Sequence, residues 1–485
     1  MKSFNQNKLF LTLGSLTAAE LKRFQQYVDS PFFNHSKRLS QLLRVLIPFA
    51  PEYNQTRLTR EFLFEQLFPG EDIKSQQLRE QMSFLYRLLK GFLIHLELQS
   101  REYEQKLLLL TQLRKRQLGR SFATEANALA KGLDSSKIRD SDYHWTQYQL
   151  AYETSNLAAQ QELRTYDASL AHAMQHLDTW YYIQKLRGSN EMMNRQHILQ
   201  ADEKIYGVEP ILSALNLPDN PLTDIPAILI YKEIWFLMQE GKERNYTRLK
   251  ELLSTYAESF HPSESRLIYK NAQNYCIRQI NAGNTRFEHE LFGLYQQQLS
   301  SGLILIGEQI AHTDFKNIVT VALRERQFDW VEAFLKRYRS KVSLLYRENV
   351  YNFCWASYLQ ATSQTQKAIR VLNTVEFSDA YYQLSAKHLL LRCYYEQKDW
   401  DALTFLLNSF QHFLARNKEI STKNRGNHLN FLKYFRKLLT IHERTAIMSP
   451  ADSQLRLQKL SLALEQAKQT AHLGWLKEQT SQLLH

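Results

Sequence analysis

Asparagines spaced three residues apart are the most regular chemical feature of this 485-residue chain. Three such pairs recur at intervals of 78 residues (349 − 271 and 427 − 349), and an aromatic residue follows each pair. The pairs are Asn271/Asn274, Asn349/Asn352 and Asn427/Asn430. A carboxamide both donates and accepts hydrogen bonds, so a row of amides can bind the backbone of an extended peptide. Alternatively, each amide is buried and bonds a loop or an adjacent helix, and the aromatic residue beside each pair favours this structural role.

The same spacing continues between these pairs. Asp314/Asn317 and Ser385/His388 complete a series whose second members are 43, 35, 36 and 42 residues apart. In addition, residues 327–330 (Gln-Phe-Asp-Trp) return as residues 397–400 (Gln-Lys-Asp-Trp) after 70 residues. Recurrence at such intervals is typical of repeated helical hairpins. Each hairpin is expected to bury its apolar face against the next one.

The composition predicts an all-α protein without a membrane span. Glycine and proline are rare, with 14 and 10 residues, and residues that lose little entropy in helices fill the periodic segments. The three cysteines are far apart and match neither a disulfide framework nor a zinc ribbon, which indicates a reducing compartment. No apolar run approaches the roughly 20 residues of a membrane helix. We therefore expect a cytoplasmic protein.

Helix-breaking residues divide the chain into four segments. We predict an N-terminal helical domain (1–100), a long-helix region with room for degenerate repeats (101–206), a proline-rich linker (207–226), and irregular repeats with a C-terminal capping helix (227–485). In the first domain, helices are expected at about 17–29, 36–48, 58–68 and 73–98. The linker holds four of the ten prolines. Because proline removes a backbone donor and disfavours helix in the residue before it, this segment is predicted to form turns or a linker.

Residues 227–416 resemble the tetratricopeptide-repeat superfamily, with Ala356 and Ala368 at the small-residue positions of a helical hairpin. This resemblance implies a superhelical solenoid whose concave surface is lined by the first helix of each hairpin. It also implies a protein or peptide partner. The candidate peptide-binding residues are Asn274, Asn317, Asn352, Lys316 and Arg347. We expect the continuous core to include Trp330, Trp355, Trp400, Phe334, Phe405 and Leu406.

A second resemblance, to bacterial helical-repeat proteins without an assigned activity, rests on short landmarks. These are Leu21-Lys22-Arg23-Phe24 with Ser30-Pro31-Phe32-Phe33-Asn34, Lys185-Leu186-Arg187 with Asn194-Arg195, and Trp475-Leu476. This resemblance implies no reaction.

Motifs for catalysis or for a cofactor are missing from the sequence. It contains neither a phosphate-binding loop nor a glycine-rich dinucleotide loop nor a nucleophile elbow. His172 and His176 have the spacing of two metal ligands on one helix, but the position after His172 is alanine and no third ligand is fixed by spacing. We therefore predict a non-enzymatic protein with no catalytic, cofactor-binding or metal-binding residues, and interpret the two histidines as a surface or packing pair.

A nucleic-acid-binding regulator is the alternative interpretation. Residues 1–120 hold 19 Lys/Arg and 11 Asp/Glu, a balance of +8 out of a total of +12. The predicted helices at 58–68 and 73–98 loosely imitate a helix-turn-helix. The basic and polar residues that support this alternative are Lys74, Gln76, Gln77 and Arg79, Arg114-Lys115-Arg116 with Arg120, and Lys433-Tyr434-Phe435-Arg436-Lys437. Glu71 and Asp72 precede the proposed recognition helix and would repel phosphate.

Overall fold

Helices form nearly all of the regular structure. The structure is a computed structural model, which describes residues 7–72, 75–161, 166–199, 203–374, 379–444, 448–467 and 469–484. These residues include 23 α-helices and one two-stranded hairpin, so the predicted all-α class is confirmed. The chain divides into two compact units, Met1–Tyr181 and Tyr182–His485. The division falls within α9 (Ser169–Leu199).

The first unit begins with one short helix that was not predicted from the sequence, and four predicted helices follow it. Its elements are α1 (Lys8–Gly14), α2 (Ala18–Asp29), α3 (Lys37–Leu46), α4 (Arg60–Leu67), α5 (Ser75–Ser100), α6 (Glu102–Lys115), α7 (Gly119–Ser135) and α8 (Ser141–Gln160). Thr17 and Glu20 start α2 with a reciprocal capping box, in which each backbone N–H donates to the other side chain. Helices α2 to α5 match the four predicted in residues 1–100 to within a few residues, because breakers and apolar periodicity mark them clearly.

Two apolar clusters hold the first unit together. The larger one joins α1 to α5 and includes the fully buried residues Phe24, Leu42 and Leu89. The smaller one joins α6, α7 and α8 around Leu110 and Leu129. Burying apolar side chains between helices, which neither helix achieves alone, is the main stabilising contribution in such bundles.

The second unit continues as a series of helices of 7 to 23 residues. Its elements are α10 (Glu209–Leu215), α11 (Pro226–Glu240), α12 (Glu243–Tyr256), α13 (Pro262–Asn281), α14 (Arg286–Ser300), β1 (Leu305–Ile306), β2 (Gln309–Ile310), α15 (His312–Arg324), α16 (Phe328–Tyr338), α17 (Leu344–Ala361), α18 (Thr365–Thr374), α19 (Ala380–Glu396), α20 (Trp400–Arg416), α21 (Thr422–Arg444), α22 (Pro450–Glu465) and α23 (Leu473–Leu484). Strands β1 and β2 are antiparallel, with Leu305 opposite Ile310. This hairpin lies between α14 and α15, which accounts for the long interval from Asn274 to Asn317.

Consecutive helices in this unit pack as pairs joined by one recurring turn. Helix α15 packs on α16, α17 on α18, and α19 on α20, while α17 also contacts both α15 and α19. In these three pairs a residue with positive φ lies two residues after the end of the first helix, namely Arg326 (54°), Ser363 (61°) and Lys398 (56°). The next N–H reaches back to a carbonyl in the last turn, in the bonds Gln327 to Ala322 (2.9 Å), Gln364 to Leu359 (2.7 Å) and Asp399 to Tyr394 (3.0 Å). These are Schellman turns, and the repeated Gln-x-Asp-Trp sequence overlaps two of them.

The predicted proline-rich linker is instead partly helical. Residues Glu209–Leu215 form α10, with Pro210 in its first turn, where proline leaves no helical hydrogen bond unmade. Ile211 and Leu222 are buried in the same apolar cluster as Ile228 of α11. The expectation of turns or a linker is therefore wrong for 209–215, because proline in the first helical turn begins a helix rather than ending it.

The predicted core residues are only partly correct. Phe334 and Leu406 are buried, whereas Trp330, Trp355 and Trp400 are half-buried at the edges of the clusters. Phe405 is 77% exposed, so its assignment to the core is wrong. The buried face of α20 runs through Leu403, Leu407 and Phe410, and Phe405 lies on the opposite side of the helix. Ala356 and Ala368 are fully buried in the pair α17–α18.

Candidate binding site

Lys316 on α15 is surrounded by polar and aromatic groups from the next two helix pairs. Its ammonium group donates to Ser385 Oγ at 2.6 Å and lies 5.2 Å from the ring centroids of both Phe353 and Tyr382. Desolvation lowers the pKa of Lys316, and the thiol of Cys354 and the carboxylate of Asp379 oppose this shift. No carboxylate in the described part of the chain lies within ion-pair distance of Lys316. The cation is thus half-buried without a neutralising partner.

Contacts around Lys316 link α15 to α19, the first helices of two pairs that are not consecutive. His312 Nδ1 lies 2.8 Å from the hydroxyl of Tyr382. The His312 ring also stacks on Tyr346 of α17, with centroids 4.1 Å apart. We use the name α15–α19 face for six half-buried polar side chains of α15, α17 and α19. Its members are His312, Lys316, Tyr346, Asn349, Asn352 and Ser385.

Asn352, like Asn349 of the same face, has hydrogen-bonding capacity that no described residue uses. It is half-buried on α17, directly before Phe353, whose ring lies under Lys316. Its amide makes no hydrogen bond within the described residues, whereas other amides of the repeated motif do. A carboxamide has two donors and two acceptor lone pairs, so Asn352 can still bind a backbone group of a partner.

The remaining predicted site residues are engaged elsewhere. The amide of Asn274 donates to Asn194 Oδ1 at 3.2 Å, and Asn317 hydrogen-bonds the hydroxyl of Tyr295. The Arg347 guanidinium donates to the carbonyls of Val342 (3.0 Å) and Ser340 (2.8 Å) in the turn before α17. Of the five predicted residues, the structure places Lys316 and Asn352 on the α15–α19 face with unused capacity. It gives Asn274, Asn317 and Arg347 intramolecular partners.

A histidine cluster beside this face was not predicted from the sequence. His388 of α19 is 2% exposed, and its Nε2 lies 2.8 Å from His428 Nδ1. The ring of His472, before α23, lies 4.2 Å from that of His388. Desolvation lowers the pKa of His428 to about 4 and that of His388 well below its usual value, with neighbouring cations adding to the effect at His388. These histidines are therefore neutral near pH 7. Because these histidines lie far apart in the sequence, no local pattern predicted the cluster.

The predicted metal-like pair in the first unit does not converge. His172 is exposed, while His176 lies with Nδ1 3.1 Å from Nδ1 of the buried His144. Among the residues described, no group of three or more histidine, cysteine or acidic side chains is arranged to hold a metal ion. The contact with His144 makes His176 a packing residue.

The residues that suggested nucleic-acid binding differ in their burial and in their partners. Arg114 is held by Glu153, with Nε 2.6 Å from Oε2, and both are largely shielded from solvent. Phe435 is fully buried in the core, so it offers no surface for base stacking. Lys74 lies outside the described residues. By contrast, exposed Arg79 at the start of α5 lines a cleft of about 350 Å³ together with Lys8 and Arg60.

Comparisons of the chain with protein-family models, with curated proteins and with solved structures gave no match in any of the three sets. Among the helices that the structure describes, none combines the length and apolar character that a bilayer crossing requires.

Proposed function

We propose that the chain is a non-enzymatic helical-repeat protein that binds an extended segment of another protein on the α15–α19 face. In this proposal, residues 227–485 form a solenoid of the tetratricopeptide type. Three successive helix pairs with the same Schellman turn, and contacts between their first helices, support that architecture. The single observation that carries the binding proposal is the amide of Asn352, which makes no hydrogen bond among the described residues and directly precedes Phe353, whose ring centroid lies 5.2 Å from the Lys316 ammonium group.

The chemistry of this face defines the kind of segment it suits. The donors and acceptors of the Asn352 amide have no partner among the described residues, so they can bond a backbone N–H or C=O of an extended peptide. Lys316 adds a cation that an acidic side chain of the same segment would neutralise. An extended segment with at least one acidic residue therefore matches both groups.

The test is affinity capture from the native cell followed by measurement of binding to the captured partner. Asn352→Ala should weaken partner binding and leave the unfolding midpoint nearly unchanged, because no intramolecular bond is lost. The matched control is Asn373→Ala, an exposed asparagine on α18, the second helix of the same pair. Equal affinity of wild type and Asn352→Ala for every captured partner would contradict the proposal. A large loss of stability would show instead that the amide is structural.

The buried cysteines support a cytoplasmic location as part of this proposal. Cys276, Cys354 and Cys393 are unpaired and buried. Burial raises the pKa of the Cys276 and Cys393 thiols to about 12, which keeps them protonated and unreactive. They serve as small apolar core residues.

A second candidate function, nucleic-acid binding by the first unit, is favoured by the cleft at the start of α5. Three exposed cations, Lys8, Arg60 and Arg79, surround it. Binding through such cations should fall steeply with salt. A filter-binding titration at two salt concentrations tests this, with Arg79→Gln as the variant and Lys131→Gln, which removes an exposed cation from α7, as the control. The absence of saturable binding at low salt would dispose of this candidate.

A further inference from the structure

The start of α23 lies within a positively charged cluster in the second unit. Arg392 of α19 donates from Nη2 to His472 Nδ1 at 2.7 Å, and its guanidinium lies 5.5 Å from the ring centroid of Trp475. His472 directly precedes α23, and the first turn of this 12-residue helix contains no acidic residue. The free N–H groups at a helix N-terminus attract anions. The helix end and the guanidinium therefore favour the same sign of ligand charge.

Two cations of α15 add to the positive charge near the start of α23. Desolvation and the positive charges of Arg392, Arg324 and Lys316 hold the pKa of His472 well below its usual value. Arg324 has its own counter-charge, with Nη1 3.0 Å from Glu288 Oε1. Neither Arg392 nor Lys316 has a carboxylate within ion-pair distance among the described residues. Positive charge from two helices thus converges near His472, and the carboxylates of Glu396 and Glu478 act on Arg392 only from beyond ion-pair distance.

Two polar atoms of the cluster also lack partners. Nε of Arg392 and Nδ1 of His388 are shielded from solvent and make no hydrogen bond to any described residue. His388 is 2% exposed and packs its ring against that of His472. Native proteins seldom leave buried polar atoms unpaired, and such an atom calls for an explanation such as an ion that completes the site. An anion among these side chains would supply acceptors that the described residues do not provide.

The cluster reaches the surface of the protein at His472. His472 keeps more than a third of its surface exposed, and Arg392, Lys316 and His428 are half-buried. A guanidinium can make two parallel hydrogen bonds to an oxyanion, and an ammonium group adds a third. A group with several acceptor oxygens, such as a phosphate or a carboxylate, uses all of these donors.

We propose that Arg392, Lys316 and the N-terminus of α23 form a binding site for an oxyanion, either a phosphate group or the carboxylate of an acidic side chain. This proposal goes beyond peptide binding, because a free anion would bind the site in the absence of any peptide. The site shares Lys316 with the α15–α19 face. The two sites are distinguished by Asn352→Ala, which should leave anion binding intact.

Isothermal titration of inorganic phosphate into the full-length chain tests the site at constant ionic strength. Wild type should bind phosphate saturably, and Arg392→Gln should bind at least about tenfold more weakly, the loss expected for a charge-assisted hydrogen bond. The control is Arg456→Gln, which removes an exposed cation from α22 of the same unit and should bind as wild type does. If Arg392→Gln does not fold, Lys316→Met serves instead, because it removes the charge and keeps the aliphatic stem over Phe353 and Tyr382.

Competition with a peptide shows whether a protein carboxylate or a free phosphate group occupies the site. Displacement of phosphate by a short glutamate-rich peptide supports the site and assigns it to protein carboxylates. Phosphate binding that this peptide does not displace supports the site and assigns it to a free phosphate group. Absence of saturable binding by wild type at about 10 mM phosphate, or equal affinities in wild type, Arg392→Gln and Arg456→Gln, would overturn the proposal.

Discussion

Acidification is expected to destabilise the first unit through His144. This histidine is 6% exposed, and its Nδ1 lies 3.1 Å from Nδ1 of His176, so the two rings share one proton in that contact. Its Nε2 is shielded and has no hydrogen-bond partner among the described residues. Burial, followed by the charges of His176 and Arg139, lowers the pKa of His144 to about 3. A proton added to His144 would meet no acceptor.

The magnitude follows from the difference between the folded and unfolded pKa. The ordinary histidine pKa is 6.5. Because the folded pKa is the lower one, the free energy of unfolding is unaffected above about pH 6.5 and falls as pH drops below that value. At about pH 5 the unfolded chain has gained nearly one proton that folded His144 has not. The 1.5-unit gap at roughly 1.36 kcal/mol per unit makes the cost about 2 kcal/mol.

Native-state hydrogen exchange of peptides from α8 measures this stability locally, once corrected for the pH dependence of intrinsic exchange. The loss of stability between about pH 7.5 and pH 5 should be about 2 kcal/mol smaller in His144→Gln than in wild type. His172→Gln is the matched control, because it removes an exposed histidine from the helix that carries His176, and it should behave as wild type. A difference below about 0.5 kcal/mol between His144→Gln and wild type, the usual limit of additivity, would refute this reasoning.

Three further predictions concern the packing and the polar contacts, two of them with a comparison variant. Phe410→Ala, at a fully buried position, should cost about 3–5 kcal/mol in urea denaturation, whereas Phe405→Ala at the exposed position on the same helix should change stability by less than about 0.5 kcal/mol. Asn274→Ala should cost about 1 kcal/mol because it breaks the bond to a second asparagine, and Asn352→Ala should cost clearly less in the same assay. Glu153→Gln strands a shielded arginine and should lower the free energy of unfolding of the first unit by roughly 2 kcal/mol; an unchanged midpoint would contradict this.

Local sequence predicted the helices well, because their signals lie within a few residues of each other. The capping residues Thr17 and Glu20, and the apolar spacing from Leu78 to Leu89 in α5, specify a helix and its buried face without long-range information. The error at Phe405 arose because Phe405 and Leu406 are adjacent and only one of them can face the core. The helix at 209–215 was missed because proline signals both a break and a helix start.

The candidate site was harder to predict, because its contacts join residues far apart in the chain. Lys316 and Asn352 could be selected from the repeat, but the bond between Asn274 and Asn194 spans 80 residues, and that between Lys316 and Ser385 spans 69. No local pattern indicates which amide finds a partner. The cluster around Arg392 depends in the same way on tertiary packing.

Some polar contacts of the second unit span about two helix pairs. The bonds of Lys316 to Ser385 and of Arg392 to His472 join side chains 69 and 80 residues apart. The repeated asparagines differ in their partners, since Asn271 bonds the carbonyl of Leu267 within its own helix and Asn430 bonds the carbonyl of Gln469. Asn352 makes no hydrogen bond within the described residues. Its repeated polarity is therefore not explained by an internal contact, which is why the binding proposal rests on it rather than on Asn274.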